Sequence, residues 1–265
     1  MRRGLSRTQA ASATRDTRIP LPAEVVASVL LDSLERVQRA AAGDCLAPRP
    51  WAELLRRRYA FVLSFVFMGR QDTSTMLASV DHGIDDKFIW LRLTEKMRRH
   101  RVERRVVRLD RRSPPSHGFP SLLPQLAELG LAYLSAKAAL GGAATDWLFQ
   151  LPRESKPVTT SMSGWVATTL DELGVRAPVG FAYLGHSLRS GGSSAAEAVK
   201  VPRARGDWLG GWAAGSNTRE VHYIDPTVGP TPAAYRLFGW LLNSHYEASL
   251  PTSVPDPRRA AAALL

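Results

Sequence analysis

Apolar residues along the chain recur at helical spacing over most of its length. In residues 22–43 (PAEVVASVLLDSLERVQRAAAG), Val25, Val29, Leu30, Leu34 and Val37 fall on one face and Gly43 closes the run, which predicts an amphipathic helix. Pro48-Arg49-Pro50 then breaks the chain, and a second helix is expected from Trp51 to Met68, ending at Gly69. Its last ten residues (YAFVLSFVFM) are apolar on every side and directly follow Arg56-Arg57-Arg58. Such a run is too short to span a bilayer and marks a buried helix. Residues 87–93 (KFIWLRL) and 105–109 (RVVRL) are instead β-branched or aromatic and flank a charged turn, the pattern of a hairpin. Helical patterns return over 122–140, 162–173, 188–199 and 233–244, with loops expected at 111–120 (RRSPPSHGFP) and 150–157. No internal repeat is visible. These elements predict a mainly α fold with a small antiparallel β-element. The main boundary is expected at the proline pair. That leaves a basic tail and one short helical segment in residues 1–50, a main domain over 51–250 and a disordered tail over 251–265.

Composition changes the picture through charge. The 265 residues carry 35 basic and 24 acidic side chains for a net charge of +11, and only five of the bases are lysine. Arginine presents a planar fork that grips two phosphate or carboxylate oxygens at once, so a polyanionic partner is expected, although a GC-rich coding sequence would also enrich arginine. The charge is concentrated: Lys96, Arg98, Arg99, Arg101, Arg104, Arg105, Arg108, Arg111 and Arg112 face only Glu103 and Asp110. A patch so unbalanced suits nucleic acid, held through its phosphates without reading sequence. The single cysteine, Cys45, excludes an internal disulfide and a multi-cysteine metal site, and fits a reducing compartment. The start of the chain, MRRGLSRTQAASATR, has no acid before Asp16. It reads either as a basic tail or as an organellar transit peptide.

Two chemistries compete for residues 179–196 (VGFAYLGHSLRSGGSSAA). A nucleophile elbow needs Gly-x-Ser-x-Gly, but Arg189 stands where the second glycine must be, and no run of alternating strands and helices precedes it. In the other reading His186 and Arg189, three residues apart, share the first turn of a helix and converge on a phosphate. Downstream, Gly210-Gly211-Trp212 is followed by Tyr223 in VHYIDP; upstream, Arg70 follows Gly69, and Lys96 stands at the hairpin turn.

Arg70, Lys96, His186-x-x-Arg189, Trp212 and Tyr223, in that order, make up the active-site set of the tyrosine recombinases, or phage integrase family, and residues 52–242 resemble their catalytic domain. HSLRSGG, GGW and YIDPTVGPTP look most like the recombinases of eukaryotic mobile elements. The resemblance implies DNA cleavage and rejoining through a 3′-phosphotyrosyl bond to Tyr223. Arg70 and Arg189 would hold the phosphate, and Trp212 would donate or pack. His186 would take the tyrosine proton, and Lys96 would protonate the leaving oxygen. Arg98, Arg99, Arg101, Arg104 and Arg105 would bind DNA. No cofactor and no metal are implied. A homotetramer on DNA is implied, with the helix of residues 230–244 shared between neighbours. Such a protein would work in the nucleus of a eukaryote, or otherwise in the cytoplasm, and the basic start leaves an organelle open. Departures are Thr73 where the family carries an acid, with Asp72 adjacent, and a Trp-to-Tyr interval lengthened through AAGSN. In addition, only one clear helix stands ahead of residue 50 where members carry a helical domain. A partner would supply that half, or the chain is a non-catalytic DNA-binding remnant of such an element. A type IB topoisomerase is a further reading with similar chemistry.

Overall fold

A computed structural model describes residues 19–44, 46–96, 102–157, 160–213 and 216–243, apart from the side chains of 94–96 and 102–104. The expected first helix forms as α1 (Ala23–Ala41), and the second as α2 (Pro48–Val66). The prolines expected to break the chain open α2 instead. In the first turn of a helix a proline removes no needed N–H and brings a pre-set φ. Every residue of α2 from Tyr59 onward is buried, and α1, α4 and α5 pack around it. Leu21, Val26, Val29, Leu30 and Leu34, from before the prolines, share one core with Leu55, Phe61 and Phe65 from after them.

A short α3 (Gln71–Thr75) leads to a three-stranded antiparallel sheet of β1 (His82–Ile84), β2 (Phe88–Lys96) and β3 (Val102–Asp110), in that order. The hairpin has the expected strands, each longer than its pattern, with Phe88 opposite Asp110 and Lys96 opposite Val102. β1 has only three residues, too few for alternation to show, and pairs His82 with Leu91. Then come α4 (Leu123–Ala139), α5 (Ser161–Glu172), α6 (Gly185–Ala198), α7 (Arg203–Gly210), α8 (Thr218–Tyr223) and α9 (Pro232–Phe238), which runs into a 3-10 turn at Gly239–Leu242. The C-terminal apolar stripe packs on its own chain, with Leu237, Phe238 and Leu241 buried and the Phe238 ring 5.7 Å from Phe65. Among the described residues no helix is long and apolar enough to cross a membrane.

α6 approaches α2 and the segment before α1 closely because its sequence is small there. A Cβ on Gly191 would lie 2.2 Å from the Leu21 carbonyl oxygen, and one on Gly192 would lie 2.3 Å from that of Phe65. Leu21 N–H donates to the Ser187 carbonyl at 3.0 Å, so the chain entering α1 is tied to the first turn of α6.

A buried histidine underlies the sheet. His82 Nε2 lies 2.6 Å from the Tyr59 hydroxyl. Burial, with Lys137 adding to it, pushes the imidazole down from 6.5 to about 3, so the ring is neutral and accepts the phenolic proton. Because the unfolded histidine takes up a proton that the folded one refuses, stability is full above pH 6.5 and is lost progressively as pH falls toward 3. By pH 5 His82 alone should cost about 2 kcal/mol. Urea denaturation between pH 7.5 and 5 measures this slope, and His82→Asn should flatten it; an equal slope in both proteins would refute the assignment.

Candidate active site

Two helix ends meet beneath the site. α2 ends in a Schellman turn, with Met68 at φ 51° and the Gly69 N–H returning to the Ser64 carbonyl at 3.0 Å. α7 ends the same way, with Gly211 at φ 70° and the Trp212 N–H returning to the Asp207 carbonyl at 2.9 Å. Such ends leave carbonyls carrying partial negative charge, which a cation satisfies. Arg189, on the first turns of α6 and 1% exposed, donates from Nη1 to the carbonyls of both Met68 and Gly210. The motif Gly-Gly-Trp follows from this geometry. A Cβ on Gly210 would lie 1.7 Å from the Trp212 ring, so only glycine lets the indole fold back over the helix end, and Gly211 supplies the left-handed turn.

The indole lies on the guanidinium. Arg189 Cζ is 3.9 Å from the Trp212 ring centre and 4.8 Å from that of Tyr223. The His186 ring is 5.0 Å from Tyr223, and Trp212 is 5.5 Å from it, edge to face. Three residues from two separate stretches of sequence therefore close around the phenol of a third. Tyr223 is half-buried and opens onto a cleft of about 560 Å³ shared with Pro20, His186, Ser190 and His222. Trp212 Nε1 is buried and has no hydrogen-bond partner among the described residues.

The first turn of α6 is fixed from both sides. The Ser187 hydroxyl accepts the Leu184 N–H at 3.1 Å and is buried, which makes it a cap rather than an exposed nucleophile. With its amide oxygen turned toward α6, Gln71 accepts the N–H groups of Gly185 at 3.1 Å and His186 at 2.9 Å. α3 thereby holds the helix start on which His186 rides, a role that no pattern in the sequence announces.

The remaining expected residues lie elsewhere. Arg70 is exposed at the start of α3, two positions after the carbonyl that Arg189 holds, and lines a second cleft of about 390 Å³ with Asp72, Asp81, Arg92 and Trp147. Lys96 is the last residue of β2 and Arg104 belongs to β3, but their side chains are not among those described; Arg98, Arg99 and Arg101 lie outside the described residues. Arg105 is a correction. Expected on a DNA-facing hairpin, it is 8% exposed and donates from Nη1 to the Trp208 and Leu209 carbonyls, with its guanidinium 5.8 Å from the Trp208 ring. It caps the same helix end as Arg189 and ties β3 to α7. The sequence held a signal for this, since period-two alternation puts Arg105 on the inward face with Val107 and Leu109.

No protein-family model and no curated protein sequence matches the chain. Among solved structures it is similar to the XerH site-specific recombinase bound to palindromic difH substrate in a post-cleavage complex. The TM-score is 0.53 and the identity 14%, over 78% of this chain and 49% of that one. The pre-cleavage complex of XerH with difH gives a TM-score of 0.53 and 15% identity, over 77% and 50%. A lambda integrase (75–356) dimer bound to a COC′ core site gives 0.45 and 17%, over 80% and 60%. The chain spans about half the length of the XerH recombinase. Mainly helical, with one three-stranded antiparallel sheet, it has the fold of the tyrosine recombinase catalytic domain.

Proposed function

We propose that the protein cleaves and rejoins DNA strands through a 3′-phosphotyrosyl bond to Tyr223, as a recombinase of the kind found in eukaryotic mobile elements. The observation that carries this reading is the closure of His186, Arg189 and Trp212 around the Tyr223 ring. A neutral phenol is a poor nucleophile and must lose its proton as it attacks, and His186 is the base beside it. Attack forms the bond from tyrosine oxygen to phosphorus and breaks the bond to the 5′ oxygen, which takes a proton from Lys96. Arg189 and Arg70 stabilise the charge on the phosphoryl oxygens, fixed donors being the largest catalytic term in such sites. The phosphodiester energy is kept in the covalent bond, so rejoining reverses the same step.

The XerH complexes hold DNA substrates before and after cleavage, which supports double-stranded DNA as the partner here. Arg98, Arg99, Arg101 and Arg104 would meet its phosphates, and the working state would be a homotetramer on DNA, in the nucleus if the host is a eukaryote. One observation favours a second reading, a non-catalytic DNA-binding remnant: Arg189 is 1% exposed beneath Trp212 and Tyr223, so the rings must move before a phosphate can reach it.

A suicide duplex incubated with the protein in EDTA separates the two readings. Recombinase activity gives a covalent protein–DNA adduct that Tyr223→Phe abolishes while DNA binding persists. Tyr235→Phe should leave the adduct intact, because Tyr235 is packed beside His117 and Phe119. An adduct that survives Tyr223→Phe sinks the assignment. Salt-sensitive binding with no adduct favours the remnant.

A further inference from the structure

Apart from Tyr223 itself, the helix that carries it has no apolar anchor. α8 has six residues, Val221 is 63% exposed, His222 is exposed, and the buried residue of α8 is Arg219, 0% exposed. An isolated helix this short does not persist in water, so its position is set by what holds it. Arg219 Nη2 lies 3.5 Å from a Glu197 carboxylate oxygen on α6 and donates to the Ser193 carbonyl at 3.4 Å, and Nη1 lies 3.7 Å from an Asp207 oxygen on α7. The guanidinium sits 5.9 Å from the Trp212 ring. It also fills the space over Gly206, where a Cβ would come within 2.8 Å of Nη1. At the other end of α8, the Ser194 hydroxyl donates to the Tyr223 carbonyl at 3.3 Å and accepts the Asp225 N–H at 2.8 Å.

We propose that Arg219 and Ser194 are positioning residues that clamp α8 at its two ends onto α6 and α7, and so set the place of the Tyr223 hydroxyl and the Trp212 ring. The role in catalysis rests on Tyr223 being the nucleophile; the clamp itself does not. Burial makes the arginine expensive here. It holds the Arg219 guanidinium below its ordinary range and the Asp207 carboxyl above its own, against the pull of their opposite charges. A buried charge cluster contributes less to stability than apolar packing of the same volume would. Its contribution is direction: Arg219 reaches α6 and α7 from one point, where a leucine would let α8 slide. The small residues of α6 allow this, because Ser193 and Ser194 bring a carbonyl and a hydroxyl to the surface on which α8 lies.

The test uses the full chain, single-turnover cleavage of a suicide duplex, DNA affinity by titration, and amide hydrogen exchange of residues 218–225. The variants are Arg219→Met/Asp207→Asn, which removes the cation and the charge of its buried partner together, Arg219→Lys, and Ser194→Ala. A displacement of about 1 Å at a reacting group can cost on the order of 10²-fold in rate. The double variant should therefore slow cleavage by about 10²-fold, leave DNA affinity within about threefold and raise exchange in 218–225 while α6 stays protected. Arg219→Lys should recover part of the rate. Ser194→Ala, which leaves the charges alone, should slow cleavage by about tenfold with DNA affinity kept. Unchanged rate and unchanged protection in Ser194→Ala and in either folded Arg219 variant would overturn the proposal, as would a loss of protection spread equally over α6. If the wild-type protein forms no adduct, the nucleophile reading fails, and the exchange of 218–225 still decides the clamp.

Discussion

Arg189→Ala should lose both stability and cleavage, and the two losses have different causes. Arg189 Nη1 serves the Met68 and Gly210 carbonyls, at the ends of α2 and α7. Removing the guanidinium leaves two buried acceptors without their donor, at roughly 1–3 kcal/mol each. It also takes the floor from beneath Trp212 and Tyr223, both of which lie on its face. In the proposed reaction the same cation would face the phosphate, and losing one preorganised donor typically costs about 10²–10³-fold in rate. The expected result is an adduct yield near background and an unfolding free energy, read from urea denaturation, lowered by about 2–6 kcal/mol. Arg189→Lys separates the causes, because an ammonium keeps the charge but cannot span two carbonyls and a phosphate in one plane. It should regain part of the stability and little of the rate. If Arg189→Lys cleaves like the wild type, Arg189 serves only to join two helix ends.

The parts of this architecture that were legible in the sequence are those with period or order. The helical stripes of α1, α4 and α5 and the two long strands follow from spacing, and the three residues around Tyr223 follow from a resemblance in which order and interval both count. What escaped has neither property. β1 has three residues, and α7 and α8 have eight and six. The two helices are held by arginines from distant elements: Arg105 and Arg189 cap α7, and Arg219 anchors α8. Charge counted along the sequence treats every arginine as surface and so groups Arg105 with the DNA-facing residues. Arg58 tells the same story, and there too the sequence carries a signal: it lies four and three positions after Leu54 and Leu55, and three and four before Phe61 and Val62, on the inward stripe of α2. A cation on an apolar stripe is a buried ion pair until shown otherwise.

Arg58 carries the other large expected effect, because it joins three helices at a point remote from the site. It is 0% exposed and pairs with Asp32 on α1, with Glu172 on α5 at 3.2 Å, and with the Ser33 hydroxyl at 3.3 Å. Removing one member of a buried ion group typically costs about 3–5 kcal/mol, and the low end applies here because Asp32 keeps Arg36 and Glu172 keeps Arg57. Arg58→Ala should cost that much, and Arg58→Met with Asp32→Asn, which removes both charges and keeps the volume, should cost clearly less. Acid behaviour gives a second readout. Burial pushes the Asp32 carboxyl up, but the hydrogen bonds from Arg58 and Arg36 outweigh it and hold the group below its ordinary 3.8. A carboxyl lowered in the folded state contributes stability that is present above the ordinary value and lost as pH falls through the folded one. In Arg58→Ala that loss below pH 4 should shrink, since only Arg36, at 3.0 Å, still holds Asp32. The consequence reaches the site through the main chain: α1 begins just after Leu21, whose N–H is bonded to the Ser187 carbonyl in the first turn of α6. Loosening α1 should therefore raise amide exchange at Leu21 before it does so in the middle of α2. If Arg58→Ala unfolds within 1 kcal/mol of the wild type by the urea criterion that the range of about 3–5 sets, the three helices are held by their apolar faces alone, and the ion group is incidental.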